Sequence, residues 1–170
     1  DPDDNNNGII DTEESTSSIT SYGSAPAVQI GSTTQTVTVG VVGTGDQAFG
    51  IINRGSIVGN GLYEGIDATA LRIGVDGGMA VTIDGGFRNS GTLLAISANG
   101  TATALIVDAN ASLPVVDNTA IIRALTTGDG AFEAVGVDYR AGATAGSLIN
   151  SGTIGAYVQG EASDAYAIRD

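Results

Sequence analysis

Cysteine, histidine and lysine are absent from this 170-residue chain, and each absence narrows what the protein can do. Without cysteine the chain has neither a disulfide framework nor thiolate chemistry. Its cationic side chains are six arginines, set against nineteen acidic residues, for a formal net charge of −13. No basic patch is available to neutralise phosphates, so nucleic acid is not an expected partner. No apolar run approaches the ~20 residues of a membrane-spanning helix, so we expect no membrane insertion of this segment.

Aromatic residues are also scarce, at 5 % of the chain, whereas glycine occurs 26 times. The apolar residues are mostly alanine, valine and isoleucine, which suit a narrow interior between closely spaced strands. Glycine or asparagine recurs every few residues, which disfavours a helical bundle. The composition therefore predicts an all-β protein.

The pattern Asn-x-Gly-x-aliphatic-x-small occurs several times. It begins at Asn53, Asn89 and Asn150, and a looser copy at Asn118 has alanine in place of glycine. These asparagines are 36, 29 and 32 positions apart, and a period of about 30 indicates stacked structural units. The asparagines could face a ligand, but we expect them to form a ladder at a corner. There the amide satisfies backbone groups and asparagine tolerates the left-handed conformation.

A second pattern, small-x-small-aliphatic-x-aliphatic, alternates with the first. Its second small residue falls at Ala27, Gly50, Ala70, Ala104, Ala134 and Ala167. The two small residues and the two aliphatic residues have opposite parity, so we expect a corner between them. One turn per period predicts a parallel β-helix (β-solenoid) of about five to six turns over residues 19–170.

Residues 1–18 form a separate acidic arm that contains a match to the EF-hand calcium loop. The match runs Asp3-x-Asn5-x-Asn7-Gly8, then five residues, then Glu14. The predicted calcium ligands are the side chains of Asp3, Asn5 and Asn7, the carbonyl of Ile9, Asp11 through water, and Glu14 in bidentate mode. No flanking helix precedes the loop, so we expect weak, extracellular-range affinity. The alternative is a disordered acidic arm.

The tandem Asn-Ser-Gly-Thr-Ile and Asp-Ala-x-Ala-Ile units, in an acidic and cysteine-free chain, resemble the passenger region of bacterial autotransporters. The resemblance covers residues 20–170 and concerns the style of the repeat. It implies a right-handed parallel β-helix on a Gram-negative cell surface that serves in adhesion, self-association or as a stalk. Neither the translocating β-barrel of that family nor a Gly-Asp-Ser-Gly-Gly protease motif is present in this sequence.

Two carboxylates are candidates for chemistry. Asp108 and Asp138 follow Val107 and Val137, so they are predicted at equivalent positions of adjacent turns. A pair about 5 Å apart could cleave a glycosidic bond or share a cation. Arg140 could instead neutralise them, although we expect both to be solvated turn residues.

The sequence thus predicts a non-enzymatic structural module of a secreted or cell-surface bacterial protein. The chain ends inside a copy of the repeat, so we expect it either to continue or to pair with another subunit. Unpaired strand edges predict head-to-tail association into a stalk, filament or surface layer, with calcium as a possible requirement and adhesion as a role. The alternative is a glycan-binding or polysaccharide-cleaving β-helix with a lateral cleft.

Overall fold

The computed structural model describes residues 8–10, 17–161 and 163–170, and the described part is almost entirely β-structure. One short 3-10 helix, Gly45–Gln47, lies between the third and fourth strands. The strands are β1 (Ser18–Tyr22), β2 (Val28–Ile30), β3 (Val37–Val39), β4 (Ile51–Asn53), β5 (Ser56–Gly61), β6 (Ala68–Ile73), β7 (Val81–Ile83), β8 (Phe87–Asn89), β9 (Thr92–Ala98), β10 (Ala102–Val107), β11 (Ala111–Asn118), β12 (Ile121–Thr127), β13 (Glu133–Tyr139), β14 (Thr144–Asn150), β15 (Thr153–Gln159) and β16 (Asp164–Arg169).

The strands form three parallel sheets that wind into a solenoid. Sheet A has the order β1-β5-β9-β12-β15, and sheet B has the order β2-β6-β10-β13-β16. Sheet C contains β3, β4, β7, β8, β11 and β14, with β11 pairing to both β7 and β8. Each coil contributes to sheets A, B and C in turn. The predicted all-β parallel β-helix is therefore confirmed.

The solenoid has about four turns, fewer than the five to six expected. The count was too high because Gly50 is not part of the second pattern. The strand that follows it, β4, belongs to sheet C of the first coil, where Ile51 pairs with Phe87. Among the described residues after the fourth coil, the strands are β15 and β16.

The core consists of side-chain columns that run along the solenoid axis. In sheet A one column is made of Ile19, Ile57, Leu93, Ile122 and Ile154. Parallel in-register pairing stacks equivalent residues, so like packs on like, and both Leu93 and Ile122 are fully buried. The column shows why one coil needs its neighbours: each aliphatic side chain is covered by those in the adjacent coils.

Sheets A and B meet through a separate cluster of fully buried alanines. Its members are Ala68, Ala95, Ala102, Ala124 and Ala134. The sheets approach so closely in the second coil that a Cβ atom on Gly59 would collide with the Thr69 carbonyl. Only small side chains fit along this contact, which explains why glycine and alanine recur at these positions of the strands.

The change of parity predicted within the second pattern is confirmed, but it lies inside continuous strands of sheet B, and its register differs from the expected one. In β6 the adjacent residues Ala70 and Leu71 are both fully buried, so the inward-facing parity changes between them. Ala134 pairs with Ala102, not with Ala104. The sequence pattern aligned β13 with β10 two residues out of register, because both Ala102 and Ala104 satisfy the pattern as the partner of Ala134.

Candidate functional site

The recurring asparagines form a continuous hydrogen-bonded ladder at the corner between sheets C and A. Each Nδ2 donates to the Oδ1 of the next asparagine at 2.7 Å, from Asn53 to Asn89 to Asn118 to Asn150. Asn89 and Asn118 have no exposed surface. The predicted corner ladder is confirmed. These amides bond to one another, so they are not directed at a ligand.

The two interior asparagines, Asn89 and Asn118, also donate to backbone carbonyls of two successive coils. Asn89 Nδ2 lies 3.1 Å from the Gly91 carbonyl of its own coil and 3.0 Å from the Ile121 carbonyl of the next. The left-handed backbone conformation expected at the ladder occurs elsewhere, at Asn99 and Asn110. The ladder asparagines therefore recur for their amide groups, which link successive coils.

A second inter-coil network links arginines and aspartates on the outer side of sheet B. Arg72 donates to Asp108 through Nε at 2.6 Å and through Nη2 at 2.9 Å, and Arg140 donates to the same carboxylate at 2.9 Å. Arg140 also lies 3.6 Å from Asp138, which accepts two hydrogen bonds from Arg169. The hydrogen bonds to Asp108 raise the pKa of Arg72, and those to Asp138 raise the pKa of Arg169. The network is a chain of alternating charges across several coils.

The expectation that Asp108 and Asp138 are solvated turn residues is wrong. Their exposed fractions are 1 % and 3 %. They are also not equivalent, because Asp138 pairs in register with Ile106 while Asp108 follows the end of β10. The alternative, neutralisation by Arg140, is confirmed. Both carboxylates are engaged by guanidinium groups, which argues against a free acid and nucleophile at this place.

Sequence reasoning missed the roles of Arg72 and Arg169, although a signal was present. Arg72 and Asp108 are 36 residues apart, the same spacing as Asn53 and Asn89. Opposite charges separated by one repeat period therefore predict an inter-coil ion pair, once the period is known.

The outer face of sheet A carries a shallow concavity of about 420 Å³ near the last coil. It is lined by Arg123, Leu125, Tyr157, Val158 and Gln159. The Arg123 guanidinium lies 5.1 Å from the centre of the Tyr157 ring, and its buried Nε has no hydrogen-bond partner. No carboxylate lines the concavity, so it offers a cation and an aromatic ring but no general acid.

The solenoid leaves strand edges open at both ends among the described residues. We define the head edge as the free edges of β1 to β4, which each pair with one neighbour in the second coil. The tail edge comprises the free edges of β14, β15 and β16. Core side chains are exposed at both, with Ile19 at 49 % and Ile168 at 47 %.

Most of the predicted calcium loop lies outside the described residues. This applies to Asp3, Asn5, Asn7, Asp11 and Glu14, so calcium binding stays a prediction. Ile9, the predicted carbonyl ligand, is described and about half exposed, and Gly8 has φ of 89°. In the part of the chain that the structure describes, no three acidic residues are grouped closely enough to hold a metal.

No protein-family model, curated protein or solved structure matches the chain. The resemblance to autotransporter passengers therefore depends on the repeat pattern alone. Within the described ranges, no helix has the length and hydropathy needed to span a bilayer.

Proposed function

We propose that this chain is a non-enzymatic structural module of a secreted or cell-surface bacterial protein, and that it associates head to tail into a stalk, filament or surface layer. The observation that carries the proposal is that β1 to β4 and β14 to β16 each pair on one side only among the described residues. A solenoid whose terminal strands keep unpaired N–H and C=O groups presents templates for further strands. Adhesion is the expected role of such an assembly on a cell surface.

The composition of the terminal strands supports this proposal. Monomeric β-proteins protect their edge strands with charged residues, proline or bulges. Neither β1 nor β15 contains a charged residue or a proline, although the chain as a whole has a net charge of −13. In sheet A the two strands that would meet therefore bring no charges together, and β16 of sheet B carries one charge of each sign, on Asp164 and Arg169.

The proposal includes a role for calcium in the association. The predicted loop from Asp3 to Glu14 precedes β1 in the sequence. Its carboxylates repel one another unless a cation neutralises them. We therefore expect association to require calcium.

The experiment measures the mass of the purified protein by light scattering, and its shape by electron microscopy, with calcium and with a chelator. Calcium should produce elongated particles, and the chelator should reverse them. Glu14→Gln should weaken this response, whereas Asp84→Asn, which removes an exposed carboxylate outside the loop, should not. A protein that stays monomeric in both conditions contradicts the proposal.

The Arg123–Tyr157 concavity favours glycan binding as a second candidate function. A stacked aromatic ring with an adjacent guanidinium suits a saccharide that carries a carboxylate. The test is a binding screen against acidic and neutral polysaccharides with detection of cleavage products, repeated with Arg123→Gln. Retention of an acidic polysaccharide that Arg123→Gln abolishes would support this function, and failure to bind any of them would exclude it.

A further inference from the structure

We infer that the tail edge receives the head edge of a second copy of this chain in one register, with β1 pairing in parallel to β15 and β2 to β16. This inference rests on the proposed head-to-tail association and specifies its geometry. It places Ser18 of the incoming copy opposite Thr153. Each later residue of β1 then pairs with the next residue of β15.

The register follows from the side-chain columns of sheet A. The inward column that begins at Ile19 ends at Ile154, so stacking Ile19 on Ile154 continues it with the same residue. The neighbouring inward column begins at Ser21 and ends at Ala156, and both are small enough for the close contact with sheet B. A slip of one residue would turn each inward side chain to the solvent face.

The outward face of sheet A supports the same register. Tyr22 and Tyr157 are the first and last members of one outward column, and both rings are exposed in the single chain, at 69 % and 49 %. In the inferred contact they become directly opposite residues of neighbouring strands. Aromatic cross-strand pairs stabilise a sheet, and this pair would extend the stacking of Arg123 on Tyr157.

Sheet B is compatible with this register without any adjustment. Its inward column begins at Val28 and ends at Ile168, so the two aliphatic side chains meet. On the outer side Arg169 meets Gln29, which repeats the pairing of Gln29 with Arg72 inside the chain. No pair of like charges is brought together in either sheet.

Sheet C does not take part in this contact. Its last strand, β14, belongs to the coil before β15 and β16, so the inferred junction is one strand short on this side.

A second copy is a better occupant than an unrelated strand because of this residue-by-residue match. An arbitrary extended peptide would satisfy the backbone groups of β15, but it would not supply isoleucine, a small residue and tyrosine at positions 2, 4 and 5 of the strand. The first strand of this chain supplies all three, as Ile19, Ser21 and Tyr22.

The absence of cysteine allows a direct test by disulfide cross-linking. Equal amounts of two single variants, Ser18→Cys and Thr153→Cys, are mixed with calcium under mild oxidation, one of them carrying a tag to distinguish the products by size. Both side chains are exposed, so neither change should disturb folding. Adjacent strands lie about 4.8 Å apart, within the Cα separation that a disulfide spans. We expect a covalent dimer that contains one of each variant.

The matched control is Thr20→Cys mixed with Thr153→Cys. Thr20 faces the same side as Ser18 but is two residues along the strand, which increases the Cα separation to roughly 8 Å, beyond disulfide reach. This mixture should give at most a few per cent of the cross-linked product of the first.

The outcomes of these experiments test the inferred register and the proposed association separately. Association by light scattering with equal cross-linking in both mixtures, or with none in either, would overturn the inferred register while the proposed association stands. A monomer in all conditions would overturn both. Cross-linking of Ser18→Cys to itself as the main product would indicate a head-to-head contact and also overturn the inference.

Discussion

The asparagine ladder offers the sharpest test of how the coils are held together. Asn89→Ala removes a fully buried side chain that donates to Asn118 and accepts from Asn53, each at 2.7 Å. Asn150→Ala removes the last member, which is exposed and accepts from Asn118 alone. The two changes are chemically identical and differ only in their place along the ladder.

The magnitude follows from the bonds lost and the groups left behind. Each neutral hydrogen bond contributes about 1 kcal/mol to stability, and each buried polar group left without a partner costs about 1–3 kcal/mol. Asn89→Ala loses the bond accepted from Asn53 and, because Nδ2 carries two hydrogens, two donated bonds shared among Asn118 and the carbonyls of Gly91 and Ile121. We expect a loss of about 3 kcal/mol. At the exposed end water replaces the lost partner, so Asn150→Ala should cost less than about 1 kcal/mol.

Urea denaturation followed by circular dichroism, together with thermal melting, gives both values. A change of 1 kcal/mol moves the midpoint by about 2–4 °C in a chain of this size, so Asn89→Ala should lower Tm by roughly 6–12 °C. Equal destabilisation by the two variants, to within about 0.5 kcal/mol, would refute the ladder as a stabilising link between coils.

Three further predictions concern charge, pH and packing. Asp108→Asn should destabilise the fold by about 2–4 kcal/mol, because it removes the buried charge that binds two arginines. Glu133→Gln should cost under about 1 kcal/mol, because its ion pair with Arg169 is partly exposed. Denaturant titration at neutral pH measures both values. Burial raises the pKa of Tyr139 to about 12, and an unfolded tyrosine titrates near 10. The folded state thus holds its proton more tightly, and stability should fall by about 2 kcal/mol as pH rises from 10 to 12. Tyr139→Phe should lack this loss, and an unchanged pH profile in that variant would contradict it. Gly59→Ala should cost about 1–3 kcal/mol because its methyl group meets the backbone of the facing strand, whereas Gly40→Ala, with open space around it, should be neutral in the same melting assay.

The asparagine ladder shows what a repeat pattern predicts well. The period of about 30, the corner position and the stacking of Asn89 and Asn118 all follow from residue spacing, because in-register strands repeat a side chain once per coil. The left-handed conformation did not follow, since asparagine at a corner has two uses and spacing does not distinguish them. In the ladder the side-chain amides link the coils, and the backbone of these asparagines keeps a negative φ.

The register of the second pattern shows where spacing is insufficient. Ala102 and Ala104 are both small and both fully buried, so either could be matched to Ala134. Choosing the wrong one also placed Asp138 after a strand end when it lies within β13. A shift of two residues preserves the alternation of inward and outward side chains, and the hydrophobic pattern gives no signal against it.

The amino-acid sequence by itself determined the fold class, the period, the small-residue interior and the polar corner. These depend on local preference and on repetition along the chain, which are visible without coordinates. Tertiary structure alone decided the number of turns, the burial of Asp108 and Asp138 by arginines from other coils, and the meeting of Arg123 with Tyr157. Those features depend on which residues stack across coils some 30 positions apart. A two-residue change in register leaves the pattern intact but exchanges every such partner.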